Sequence, residues 1–366
     1  MKKGLLAFVM ALCLMLSGCS FWMNGHYASV EPYVGHNKKE DDGIVAVSSS
    51  QEMREALEDM VSAALESRTI SVQNMASEAV EENIQRAIHN VLTNDPIAAY
   101  AVEDIEYSFG VTGGVSAVVI TVHYNHNRSE IHRIRQVTGI DGATQLISAA
   151  LNELETGIVL EVQNYWGADF TQIVEDYAMS HPDVVMEVPQ VTVNIYPESG
   201  SVRVAELMFT YQNSRDDLRS MQWYVQPRFE SAYLYVSGEE SESVKFSRLY
   251  AFLMETTQYT VETSITPAYS LLRHSVGDSK AFATVYAAMC RQAGLNCQIV
   301  TGTKAGEPWF WNIICEDNVY YHVDLLQSSA VGAYQKLSDG DMSGYVWDYA
   351  AYPQCGIQEE IPDGTE

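Results

Sequence analysis

The sequence predicts an α+β protein: two tandem αβαββ units followed by a C-terminal segment of different texture. The first observation behind this is an internal repeat. Met60-Val61-Ser62-Ala63-Ala64-Leu65 returns as Leu146-Ile147-Ser148-Ala149-Ala150-Leu151, 86 positions later. Val72-Gln73-Asn74 matches Val162-Gln163-Asn164, and Asp95-Pro96 matches His181-Pro182. Tyr124, Arg128 and Ile131 match Tyr211, Arg215 and Leu218, 87 positions on. Four anchors at nearly constant spacing mark a duplication. The second observation is that helical and alternating hydrophobic periods follow one another in the same order in both copies. The third is a long helical run followed by three strand-like runs between Gly277 and Asp324.

In the first unit, Met53, Leu57, Met60, Val61 and Leu65 fall on one face of a helix over Gln51–Glu66, copied at Gly142–Leu154. A short strand follows (Thr69–Gln73; Ile158–Gln163). A second helix (Ser77–Leu92; Asp169–Met179) stops near the proline, which lacks the N–H that the next turn needs. Two alternating strands close each unit: Val102–Phe109 with Val115–Tyr124, and Gln190–Tyr196 with Val202–Tyr211. Gly113-Gly114 and Ser199-Gly200 mark the hairpin turns. The units are assigned to residues 44–133 and 134–222, and the remaining domain to 223–366. His123, His126 and His132 cluster at a strand end and the following loop, where solvated histidines are expected rather than a metal site.

Composition narrows the function classes. With 47% hydrophobic and 19% charged residues, the 366-residue chain is globular. A formal net charge of −27 repels nucleic acid and anionic headgroups, so no nucleic-acid partner is expected. Lys2 and Lys3 precede an apolar run from Leu5 to Leu16, ordered like a signal peptide over residues 1–18 and too short to span a bilayer. Leu16-Ser17-Gly18-Cys19 resembles the lipobox of bacterial lipoproteins. That resemblance implies lipidation of Cys19, an extracytoplasmic chain on the cell membrane, and a tether over 19–43. A general secretory signal with a chance cysteine is the alternative. Cys290, Cys297, Cys315 and Cys355 follow, as disulfides or as buried thiols, and no zinc-ligand spacing or other cofactor motif is found.

The C-terminal motif is the most specific. Gly277-Asp278-Ser279-Lys280 opens a helix with Phe282, Val285, Tyr286 and Met289 on one face, and Gly294 follows as its stop. Strands are expected at Gln298–Val300, at Trp309–Cys315 with Trp311-Asn312, and at Val319–Val323, leading through Tyr320-Tyr321-His322-Val323 to Asp324. This frame resembles the core of transglutaminase-like domains, whose pattern is Gly-x-Cys at a helix start, His-x-Trp-Asn on a strand, and a strand ending in Asp. The resemblance covers roughly 241–324, with Met342 to Cys355 as its closing segment. It implies a papain-like core: a helix packed on an antiparallel sheet, with a Cys–His–Asp triad.

Two of the three catalytic positions depart from that pattern. Ser279 stands at the Cys position. A hydroxyl is not ionised near neutral pH and needs a base, so Ser279 is either a nucleophile awaiting one or part of a helix cap formed with Asp278. Trp309 stands at the His position, and an indole has one N–H donor and no basic nitrogen. It is read either as a plug in the cleft or as a stacking surface for a ligand. Asp324 matches the family's Asp. His322 shares its strand face and is the one candidate for a replacement base. The expectation is a bacterial envelope protein whose inactive domain binds or scaffolds, with a peptide or glycan ligand. Acyl transfer or peptide hydrolysis by Ser279 with His322 and Asp324 is the alternative.

Overall fold

A computed structural model describes residues 44–356 apart from 113, 239 and 240. The leader, the tether and Cys19 lie outside the described residues. The protein is mixed α+β. The first unit runs β1 (Val45–Ala46), α1 (Ser50–Ser62), β2 (Ser67–Ser71), α2 (Val80–Asn94), α3 (Pro96–Ala101), β3 (Val102–Thr112) and β4 (Val115–Tyr124). The second runs β5 (Arg135–Thr138), α4 (Gly139–Asn152), β6 (Gly157–Gln163), α5 (Phe170–Ser180), β7 (Gln190–Tyr196) and β8 (Val202–Thr210).

The two sheets have the same plan. Their strand orders are β1-β2-β4-β3 and β5-β6-β8-β7. In each, the first pair is parallel and the other pairs are antiparallel. Each unit is therefore βαβαββ, with a leading edge strand that the sequence pattern does not reveal. Helices cover one face: Met53, Leu57 and Met60 of α1 and Ile84 and Val91 of α2 bury against Ile70, Val118 and Ile120. Truncating a side chain as enclosed as Leu57 to alanine costs about 2–5 kcal/mol.

Each unit meets the next just after its second helix. In the first, α3 follows Asp95, whose carboxylate caps it by accepting from Ala98 N at 2.7 Å. Val159, Tyr196 and Val204 of the second unit join the first core, and Tyr100 meets the Tyr196 ring edge-on at 5.7 Å. In the second unit the matching chain end carries Asp183, which accepts from Arg291 at 2.9 Å. Arg291 also donates to Ser180 O.

An unexpected helix, α6 (Arg215–Val236), leads out of the second unit. Leu218, Gln222, Val225, Phe229, Ala232 and Val236 bury at helical spacing, and Ser214 caps the start. The domain boundary placed at 223 thus falls inside a continuous helix whose inward face belongs to the C-terminal core, together with Leu154 and Met186. Then come α7 (Glu242–Met254), β9 (Gln258–Tyr259), β10 (Val276–Gly277), α8 (Ser279–Gln292), β11 (Cys297–Lys304), β12 (Glu307–Glu316), β13 (Val319–Val323), α9 (Leu325–Val331) and β14 (Tyr345–Trp347). The last four strands form an antiparallel sheet ordered β13-β12-β11-β14.

Helix α8 is central. From Ala281 to Cys290 every residue is buried, so this helix is enclosed on all sides rather than along one stripe. Its neighbours are α6 and α7 on one side and the sheet on the other. Gly277 precedes it because a Cβ there would lie 2.9 Å from Ala281 Cβ and 3.0 Å from Leu271 Cδ1. No described helix is long and apolar enough to cross a membrane.

Candidate functional site

The site forms where the start of α8 meets β12. Asp278 is the cap, its Oδ1 accepting from Ala281 N at 2.9 Å. Ser279 is the first helical residue and is buried, and its Oγ accepts from Phe310 N at 3.3 Å. Of the two roles open to Ser279, the capping bond thus belongs to its neighbour.

Alternation on β12 sorts the strand into two faces. Asn312 and Ile314 face α8: Asn312 Nδ2 donates to Ala283 O at 2.9 Å, and Ile314 sits in the helix-side core. Trp309, Trp311 and Ile313 alternate on the other face, where Trp311 and Ile313 enter a second small core with Val300, Met342, Trp347 and Cys355, and Trp309 packs against its edge. Gly302 makes room for that arrangement. A Cβ there would lie 2.3 Å from Val346 O and 2.7 Å from the Trp311 ring.

Trp309 Nε1 donates to Asp324 Oδ2 at 2.9 Å. The indole thus makes the contact with the Asp that the resemblance assigns to an imidazole, while offering no lone pair to a hydroxyl. Asp324 is 2% exposed and accepts five hydrogen bonds. Its Oδ1 takes Leu326 N at 2.9 Å and Gln327 N at 3.0 Å, capping α9. Its Oδ2 takes Trp309, the Tyr345 hydroxyl at 2.6 Å and Lys304 Nζ at 3.0 Å. Burial and the Asp324 charge hold the Tyr345 phenol far above its usual range. A buried carboxylate is tolerable only when its acceptor capacity is used, and here it is.

Lys304 was not among the predicted site residues. A lysine at a strand end reads as solvated, and no local signal says that its chain folds back. Here Nζ also contacts Gln327 Oε1 at 3.0 Å and lies 4.9 Å from the ring centres of both Trp309 and Tyr345.

His322 does not serve Ser279. It pairs with Ile313 across the sheet, and its ring is bonded within the second core, between Trp311 and Asp339. The ring is fully buried. Its Nδ1 accepts from Trp311 Nε1 at 2.9 Å, which puts the proton on Nε2, 2.9 Å from Asp339 Oδ1. Both nitrogens are committed, and the expectation of a replacement base is corrected. Burial lowers the His322 pKa, with Asp339 acting against that.

His322, Asp339 and Cys355 bring their side-chain atoms within 4.8 Å of one another. With Trp311 donating to Nδ1, the neutral ring has no free lone pair for a cation, so the trio is a hydrogen-bond network. The four described cysteines are free thiols, and burial beside Cys297 pushes the Cys290 pKa well up. Among the earlier histidines, His126 stacks on Tyr100 at 4.1 Å and His123 is half exposed.

Aromatic side chains flank the start of α8 and the start of β12. Tyr259 is exposed and lies 5.6 Å from the Trp309 ring, and Lys280 Nζ sits 5.5 Å from the centre of Phe310. Thr263 Oγ1 donates to Asp278 Oδ2 at 3.0 Å, holding the preceding loop to the start of the helix. Trp311, Trp347 and Tyr345 pack behind, edge to face.

The family model described as the transglutaminase-like superfamily matches residues 231–356, and this part of the chain is a transglutaminase-like domain. The match begins within α6. Among solved structures, a TGase crystal structure shares 11% identity at a TM-score of 0.28, covering 50% of this chain and 54% of that one. This chain therefore spans about half the length of that structure. A chain of Cytophaga hutchinsonii provisionally described as a cysteine protease shares 14% identity at a TM-score of 0.25, covering 43% of this chain and 70% of that one. One from Parabacteroides distasonis, provisionally described as a protease, shares 9% at a TM-score of 0.24, covering 60% and 35%. No curated protein sequence matches.

Proposed function

We propose that the transglutaminase-like domain binds rather than transforms its ligand, on a protein held at the bacterial cell envelope by lipid on Cys19. The ligand is an envelope peptide or glycan seated on the aromatic side chains of Tyr259, Trp309 and Phe310. One observation carries the reading: the residue at the base position, Trp309, has a single polar atom, and that atom is spent on Asp324. Thiol or hydroxyl chemistry requires a group that accepts the nucleophile's proton, and an indole cannot. Aromatic faces suit sugar rings and extended peptides. The leader pattern and the charge of −27 support an extracytoplasmic place.

The test is a pair of assays on the full chain. Labelled amine incorporation into a glutamine donor, and hydrolysis of cell-wall peptides, are expected not to exceed those of Ser279→Ala. Retention on immobilised cell-wall fragments is expected to fall at least ten-fold in Trp309→Ala. Turnover abolished by Ser279→Ala overturns the reading, as does retention that Trp309→Ala leaves unchanged. For the anchor, mass spectrometry of the mature N-terminus should find a diacylglyceryl adduct on Cys19, and Cys19→Ala should release the chain into the medium.

A further inference from the structure

We propose that Trp309, Tyr345, Asp324 and Gln327 form a receptor for a primary ammonium group, and that the chain fills it with its own Lys304. This does not rest on the proposed ligand: it concerns what the base position has become.

The four walls each do something that a primary ammonium rewards. Asp324 Oδ2 and Gln327 Oε1 accept at 3.0 Å each, using two of the three N–H donors. The rings of Trp309 and Tyr345 lie 4.9 Å from Nζ, within the range where a ring face attracts a cation. A planar guanidinium has a broader, flatter shape than this four-sided arrangement around one nitrogen. The register explains how the lysine arrives. Lys304 pairs directly with Tyr345 on β14, and Gly302, two residues earlier, pairs with Trp309 on β12. Gly302 puts no side chain between them.

Self-filling has a consequence for competitors. The chain carries 48 acidic residues against 21 lysines and arginines, so external amines are drawn to its surface. A tethered group acts at an effective concentration on the order of millimolar or more, however, and holds the site against dilute free amine. Lys304 therefore closes the former base position to amines and leaves the flanking aromatic side chains as the accessible part of the site.

Removing the occupant should leave an empty receptor. In full-length Lys304→Ala, n-propylammonium chloride is expected to shift the Trp309 indole N–H resonance saturably, that resonance being assigned by its loss in Trp309→Phe. It should also restore at least half of the variant's loss in thermal midpoint. Tetramethylammonium chloride at equal ionic strength, which cannot donate a hydrogen bond, should do neither. Lys304→Met, whose side chain fills the same space without charge, should not respond, and neither should the wild type. Equal responses in wild type and Lys304→Ala, or none in either, overturn the proposal. If Lys304→Ala does not fold, peptide-resolved acylation of the native wild type decides. Lys304 is expected to react at least ten-fold more slowly than Lys245, and Gln327→Ala should accelerate it about three-fold. Equal rates for the two lysines in the wild type count against the receptor.

Discussion

Trp309 Nε1 and Asp324 Oδ2 lie 2.9 Å apart, so an indole N–H occupies the place where the resemblance puts an imidazole donor. The indole matches an imidazole on the Asp side and offers no acceptor on its other side. A thiol put at position 279 should report that loss directly. In Ser279→Cys, the start of α8 lowers the thiol pKa somewhat, but no base completes an ion pair. We expect alkylation at pH 6.5 at least ten-fold faster in Ser279→Cys with Trp309→His than in Ser279→Cys alone, measured by peptide mass spectrometry. Equal rates would mean that the position no longer addresses the start of the helix.

Asp324 ties the site together, with five donors oriented around one carboxylate. Asp324→Ala strands Lys304, Trp309 and Tyr345 together and should cost about 3–5 kcal/mol in urea unfolding, the range for breaking a buried pair. A loss under 1 kcal/mol would show that water replaces the carboxylate without penalty.

His322 gives the protein an acid limit. Its folded pKa lies below the ordinary 6.5, through burial first, with Asp339 opposing. The unfolded chain therefore binds the proton more readily. Stability from this residue is present above about pH 6.5 and is lost as pH falls through the lower folded value. Protonation also sets a second N–H against the Trp311 donor. The protection factor of the Leu337 amide, whose N–H bonds to His322 O at 2.9 Å, should fall below pH 6 once the intrinsic pH dependence of exchange is divided out. His322→Gln should flatten that dependence.

Asp95 has the opposite sign. Burial first, with Glu58 and Glu161 adding, pushes its carboxyl up to about 6 from 3.8. Its stability contribution is full below about pH 4 and is lost as pH rises through 6. Asparagine caps a helix equally well without the charge. Each tenfold gain in proton affinity on folding is worth about 1.4 kcal/mol, so Asp95→Asn should gain on the order of 2 kcal/mol at pH 7.5 and nothing at pH 4. Thermal melts at the two pH values read this out.

All four described thiols should be unpaired in non-reducing peptide maps. Cys290 and Cys355, being buried, should be labelled only after unfolding, and Cys297 and Cys315 slowly before it.

The repeat and the frame of the C-terminal domain were legible because they rest on periods and spacings that survive in one dimension. β1 and β5 were not: two and four residues are too short to show alternation. Helix α6 hid behind Pro227 and the exposed Trp223, Leu234 and Tyr235, which blur an otherwise regular inward stripe. Alternation placed His322 and Asp324 on one strand face, but only the pairing with Ile313 shows which core that face meets. Lys304 was invisible for a different reason. Its partners Asp324 and Gln327 at the start of α9 and Tyr345 on β14 come from two later segments, and nothing near position 304 announces them.

The saturation of Asp324 also bears on how far a single substitution at this site can reach. Histidine placed at 309 would meet a carboxylate already shared with Lys304 and Tyr345, beside an ammonium that disfavours its protonation. Cysteine placed at 279 would be a thiol whose nearest bonded group is the Phe310 N–H. Any change at position 309 is therefore also a change to the anchorage of Lys304, Tyr345 and the start of α9, because one carboxylate serves all of them.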